Sequence, residues 1–311
     1  MDSLLLGITA ALCFVFGWNN SSFLIGNLRG SGSFSYRSAV GVSIAGLFLG
    51  VILEGPKMTK SLAGTLAPGT ETVLLATVAV SFILTLAITL LRLPLSFSMV
   101  MVGAFMGAAL ASAFALKTSR AEEIIGFWAL APAVTAPLTF AIFATVNRVV
   151  SRLGLLTVDI FNRATGFVSA LAVSFTLGAN NIGLFYGMSL TSAVAQTEEI
   201  ELLLLLTAVA VLGVLAFGKN ALGGTIGDRM MALSPQGVFS AFLASSIVVW
   251  AGTQLALPVS ITQCLLGGML GAAYTRDVTI VNTKLVWETL SMWVVAPVVA
   301  LVLAYLAVAL L

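Results

Sequence analysis

Two apolar stretches of this 311-residue chain break in the same way, 161 positions apart. Phe14-Val-Phe-Gly17-Trp-Asn19-Asn20 runs on to Gly26, and Phe175-Thr-Leu-Gly178-Ala-Asn180-Asn181 runs on to Gly187. Each opens as an apolar helix and then meets a glycine and two adjacent amides. A pair of amides at membrane depth has no solvent to bond. It either glues one helix to another or marks an unwound helix whose backbone and side chains face a buried polar site. Recurrence of the whole pattern favours the second reading.

Membrane depth follows from composition. Apolar residues make up 59% of the chain and charged ones 8%, against about 25% charged in soluble domains. Several runs approach the ~20 residues needed to cross a bilayer. They are continuously apolar, not alternating, which excludes a β-barrel. The fold class expected is an all-α, multi-pass protein of the cell membrane, an inverted repeat of about 5+5 transmembrane helices with broken or re-entrant helices meeting at a central site. Its first five spans are residues 4–28 (through the first Asn pair), 38–54, 71–91, 93–116 and 124–146, the last interrupted by Pro132 and Pro137. A net charge of +2 argues against nucleic acid or another polyanion as partner. Cys13 and Cys264 read as small core residues, with no disulfide and no metal site. With no His in the chain, the commonest catalytic base is missing. The N-terminus lacks a basic segment and a cleavage site, so its apolar run is expected to be retained.

The second half repeats the first. Leu257-Pro258-Val-Ser260-Ile-Thr262-Gln263, with Gly267 and Gly271, matches Leu93-Pro94-Leu-Ser96-Phe-Ser98-Met99, with Gly103 and Gly107, at an offset of 164. Glycines four apart let helices pack closely. Trp293 to Pro297 matches Trp128 to Pro132 at 165. The organisation read from this is a first transmembrane repeat, 1–150, a cytoplasmic linker, 151–161, and a second repeat, 162–311. Five spans per half is an odd number, so the second copy must enter the membrane inverted. If the N-terminus is outside, Arg29, Arg37, Arg92, Arg148, Arg152, Arg163, Lys219, Arg229, Arg276 and Lys284 fall inside. Only Lys57, Lys60, Lys117 and Arg120 fall outside, beside Glu198, Glu199 and Glu201, as the positive-inside rule requires.

Inverted repeats with paired broken helices put a small-solute site near the bilayer midplane. Proline in a first helical turn, followed by hydroxyls, presents free N–H groups and a positive dipole end. Such ends bind oxyanions. Two of them meeting by pseudo-symmetry would enclose a tetrahedral anion with Ser96, Ser98, Ser260 and Thr262. Read singly, each hydroxyl caps its own helix. Asn19, Asn20, Asn180 and Asn181 offer neutral oxygens for Na⁺ and amide donors for the anion. Glu54 reads as interfacial, and Asp159 with Arg163 as a local i,i+4 ion pair. Asp228-Arg229 and Arg276-Asp277 read as solvated loop ends. Lys57 and Lys219 recur in related contexts, where they would draw anions inward.

At these residues the chain resembles the inorganic phosphate transporter family known as PiT. Gly178-Ala-Asn180-Asn181, preceded by Phe161-Asn-Arg163 and Ser169-Ala170, is similar to its repeated Gly-x-Asn-Asp signature. Leu257 to Thr262 resembles its Pro-Val-Ser-Thr-Thr-His element. Gly55-Pro-Lys57, and Gly218-Lys219 through Gly223-Gly-Thr225-Ile-Gly227, resemble the segment after the second span of each half. The resemblance implies a secondary transporter of phosphate driven by Na⁺ or H⁺, with sulfate carried by some members of the wider family. It implies that the four Asn residues line the ion and substrate site, while the Ser/Thr elements bind the oxyanion.

Two departures matter. The family Asp is Asn20 in one copy and Asn181 in the other, and the family His is Met99 and Gln263. Gln263 is counted with the substrate residues by that alignment. An amide oxygen holds Na⁺ more weakly than a carboxylate and does not accept the proton of hydrogen phosphate, so discrimination against sulfate is blunted. An intramembrane enzyme would need a nucleophile, base or metal cluster, and the repeated buried groups are only amides and hydroxyls. A scaffold would have no reason to keep symmetric helix breaks that expose backbone groups at depth. A passive anion channel stays open as an alternative, and so does the oligomeric state, a homodimer included.

Overall fold

A computed structural model describes residues 2–21, 24–25, 35–91, 93, 95–190, 199–218, 233–274 and 282–310. Arg29, Arg92, Pro94, Glu198, Lys219, the 223–227 glycine run, Asp228-Arg229 and Arg276-Asp277 lie outside the described residues. The first half comprises α1 (Asp2–Ser21), α2 (Tyr36–Glu54) with a 3₁₀ turn (Gly55–Met58), α3 (Glu71–Leu90), α4 (Phe97–Ala111) and α5 (Thr118–Val150). The second comprises α6 (Leu155–Leu177), a π-turn (Gly178–Ile182) continuing into α7 (Gly183–Ser189), α8 (Glu199–Phe217), α9 (Pro235–Gln254), α10 (Ile261–Ala272) and α11 (Thr283–Ala309). Among the described residues, eight helical stretches are long and apolar enough to cross a membrane. The chain is a multi-pass, all-helical membrane protein.

Three expectations need correction. The fourth span is shorter than the 93–116 read from the sequence: its helix, α4, has 15 residues, and its counterpart α10 has 12. At 1.5 Å per residue they reach about 22 Å and 18 Å, short of the ~30 Å hydrocarbon core. Nor is the proline of the second element inside a first turn. Pro258 stands two residues ahead of Ser260, which takes the N-cap of α10, and Ser96 takes the same place on α4. Serine is among the preferred N-cap residues, and each helix starts directly after one. Finally, the chain does not unwind at the second Asn pair. Residues 178–182 form one wide π-turn between α6 and α7, a feature that re-aims side chains without breaking the helix.

In α5, Pro132 and Pro137 are accommodated within one 33-residue helix. Gly267 and Gly271 of α10 lie directly against the carbonyls of Pro132 and Ala136. The counterpart contact puts Gly103 and Gly107 of α4 against the carbonyls of Pro297 and Leu301 of α11. At all four glycines a side chain would collide with backbone, so only glycine permits these crossings. The same exchange holds elsewhere: Gly17 of α1 meets the Ala210 carbonyl of α8, and Gly178 meets the Leu47 carbonyl of α2. The halves therefore interlock, with the short helix of each lying on the long last helix of the other. Each short helix also forms an antiparallel hairpin with the helix before it. In the first hairpin the Lys117 N–H donates to the Leu66 carbonyl at 2.9 Å, closing its base.

Candidate functional site

The caps of α4 and α10 face one small, partly open cavity. Its polar lining is Asn20, Ser96, Ser98, Asn181, Ser260 and Thr262, and Phe16, Leu95, Phe97, Leu177 and Ile261 complete it. Ten of these form five pairs at the offsets read from the sequence: Phe16 with Leu177, Asn20 with Asn181, Ser96 with Ser260, Phe97 with Ile261 and Ser98 with Thr262. No charged side chain lines the cavity among the described residues.

Each serine does two things. Ser96 Oγ accepts from the Met99 N–H at 3.4 Å and Ser260 Oγ from the Gln263 N–H at 3.3 Å. Both are long for N–H···O bonds. The hydroxyls are thus caps, as the single-motif reading has it, and also cavity wall. Ser260 pairs with Thr262 at 2.8 Å, Ser96 with Ser98 at 3.4 Å, and Ser98 donates to the Val259 carbonyl at 3.0 Å. The first N–H groups of each helix have no intrahelical acceptor, and each helix start carries about half a positive charge. Two such ends bring roughly one positive charge to a cavity without an ionised side chain.

The amides divide their work. Asn181 is 3% exposed, lines the cavity, and its Nδ2 finds no acceptor among the described residues. An unpaired buried donor costs about 1–3 kcal/mol, a penalty that a bound acceptor would remove. Asn20 also lines the cavity while donating to the Phe16 carbonyl at 3.0 Å. Asn180 and Asn19 are not part of the lining. Asn180 Nδ2 donates to Thr253 Oγ1 at 3.0 Å and to the Leu257 carbonyl at 3.1 Å, and its Oδ1 accepts from the Val259 N–H at 3.0 Å. Asn19 Nδ2 repeats the first of these by donating to Thr89 Oγ1 at 3.0 Å. Gln263 is buried, outside the lining, and its Oε1 has no partner among the described residues.

Sequence reasoning missed several contributors. Phe16 and Leu177 stand four residues before Asn20 and Asn181, on the same helix face, so helical spacing would have found them. Thr89 and Thr253 each stand five residues before a proline, and that repeat was also available. Phe16 meets Phe97 and Phe185 edge-on, with centroids at 5.3 and 5.4 Å, a favoured aromatic geometry that seals one side. Trp128 Nε1 donates to the Pro258 carbonyl at 2.8 Å and Arg120 Nη2 to the Ala256 carbonyl at 2.7 Å. Ala256 has a φ of 51°, which costs a non-glycine residue about 1–2 kcal/mol, and the Arg120 bond helps hold it. Asp159 and Arg163 form their ion pair at 3.0 Å. Lys57 is engaged with Glu54 and Gln254.

The model of the Phosphate transporter family matches the chain twice, over residues 16–163 and 154–304. A “Putative phosphate permease” of Methanocaldococcus jannaschii is 25% identical over 303 residues, covering 96% of this chain and 94% of the relative. The sulfate permease CysP of Bacillus subtilis is 24% identical over 304 residues, covering 94% and 83%. A solved structure titled the sodium-dependent phosphate transporter shares the fold, with a TM-score of 0.85 at 16% identity over 99% of this chain and 98% of the other. With nearly every residue covered and the cavity built from both matched segments, the chain belongs to the phosphate transporter family.

Proposed function

We propose that the protein is a secondary carrier of inorganic phosphate, coupled to Na⁺ or H⁺, and that its substrate occupies the cavity between α4 and α10. The observation that carries this reading is the convergence of two capped helix N-termini on one cavity that, among the described residues, is lined by no charge and holds an amide donor without an acceptor, Asn181 Nδ2. Ser96, Ser98, Ser260 and Thr262 bind the oxyanion through hydroxyls and first-turn N–H groups. Asn20 and Asn181 contribute carbonyl oxygens toward a small cation and, from Asn181, N–H donors toward the anion. Residues 1–150 and 162–311 act as two inverted repeats about this point. The tandem family match and the exchanged glycine contacts support that reading. Rocking of one repeat against the other would then open the cavity to alternate sides.

A second substrate, sulfate, has a specific observation behind it. No carboxylate lines the cavity among the described residues, so nothing there repels a tetrahedral dianion that lacks a proton. Radiolabelled phosphate uptake into proteoliposomes, with and without Na⁺ and pH gradients, tests the proposal. Concentrative uptake supports a carrier, whereas uptake that only equilibrates supports a passive channel.

A further inference from the structure

We infer that Asn180 is a positioning residue and not a ligand of the transported species: it holds the turn that aims α10 at the cavity. The inference rests on the reading of that cavity as the anion site. Asn180 is fully buried, and its amide is committed on both ends. Nδ2 reaches Thr253 Oγ1 at the end of α9 and the Leu257 carbonyl, while Oδ1 takes the Val259 N–H. Val259 is also gripped from the other side, because its carbonyl accepts from Ser98 of α4 at 3.0 Å. The next residue, Ser260, is the N-cap of α10. Asn180 therefore fixes one face of the residue whose other face is fixed by a cavity hydroxyl, one step before the helix start that meets the anion. Its neighbour Asn181, one step round the π-turn, is the amide that faces the cavity. The Asn19–Thr89 bond reproduces the Asn180–Thr253 bond in the other half. An amide-to-threonine brace from the span that carries the Asn pair to the hairpin is thus built twice, which a ligand residue would not require.

Removing the side chain should leave the fold standing, since Trp128 and Arg120 also hold the turn. The test pairs hydrogen–deuterium exchange of the 257–263 segment in nanodiscs with uptake kinetics, for Asn180→Ala, Asn181→Ala, Thr253→Val and the double variant Asn180→Ala/Thr253→Val. Asn180→Ala is expected to speed exchange of that segment by about tenfold through local opening, and Asn181→Ala to leave it unchanged. Asn180→Ala should raise the half-saturating phosphate concentration by about tenfold without altering its Na⁺ dependence. Thr253→Val, which does not line the cavity, should raise it less, and not at all once Asn180 is gone, because the two act as one unit. Unchanged exchange in Asn180→Ala overturns the inference, and so does faster exchange with unchanged phosphate kinetics. A silent Thr253→Val together with altered Na⁺ dependence in Asn180→Ala would make Asn180 a ligand instead. If the wild type neither binds nor moves phosphate, the proposed function fails, and the exchange data still decide whether Asn180 grips the turn.

Discussion

Gly267 of α10 lies so close to the carbonyl of Pro132 in α5 that no side chain fits between them. The contact joins the short helix of one half to the long helix of the other, and its counterpart joins Gly103 to Pro297. The cavity exists because these two crossings bring both capped helix starts to one point.

Gly267→Leu and Gly103→Leu should each destabilise the protein severely, since overpacking a tight contact costs about 1–3 kcal/mol or more. Gly126→Leu is the control, because nothing lies within 4 Å of a Cβ built there. Thermal unfolding in detergent should separate the first two from the third. A normal melting temperature for Gly267→Leu would remove the interlocked packing from the account.

Asn181 should give effects of opposite sign on stability and affinity. Its unpaired buried amide carries a penalty of about 1–3 kcal/mol in the empty protein. Asn181→Ala is therefore expected to match or exceed the wild-type melting temperature while weakening phosphate binding by about tenfold. Loss of stability with unchanged affinity would mean that the amide serves the fold and not the ligand.

Glu54, Lys57 and Gln254 close a ring at the ends of α2 and α9, with Lys57 to Gln254 at 2.6 Å and Gln254 to Glu54 at 2.9 Å. Exposed pairs of this kind are worth under about 1 kcal/mol each, so Lys57→Ala should barely change stability. The ring spans the seam between the halves beside Thr253. Joining Glu54→Cys to Gln254→Cys by oxidation is expected to stop uptake, and reduction to restore it. Full uptake by the cross-linked protein would show that this seam stays shut throughout transport.

Much of this was legible in the sequence, for a physical reason. Duplicated glycines, caps and amides are local signals, and a fixed offset multiplies their weight. The four hydroxyls and both cavity amides were found that way. The different fates of Asn180 and Asn181 were not, because adjacent residues on a helix point about 100° apart and only the packed neighbours decide which one faces the cavity. Arg120 and Trp128 escaped notice for a related reason. Their partners are backbone carbonyls of a turn more than a hundred positions away, and no residue pattern records a carbonyl. The lengths of α4 and α5 were misjudged because apolar runs do not show where a serine cap or a glycine contact resets the helix.

The neutral lining makes a prediction about selectivity. Phosphate uptake by the wild type should depend only loosely on Na⁺ and should be competed by sulfate. Asn20→Asp combined with Asn181→Asp should sharpen the Na⁺ dependence and weaken the competition, while either change alone leaves an unpaired charge in a low-dielectric cavity and disables the carrier. Strict Na⁺ dependence in the wild type, with no response to excess sulfate, would contradict the charge argument.

Equilibrium binding of radiolabelled phosphate to the purified protein tests the central claim most directly, because one anion is held jointly by the starts of α4 and α10. The account predicts one phosphate per chain, lost in Ser96→Leu and lost equally in Ser260→Leu, with both variants folded. Binding that survives in either variant would contradict it.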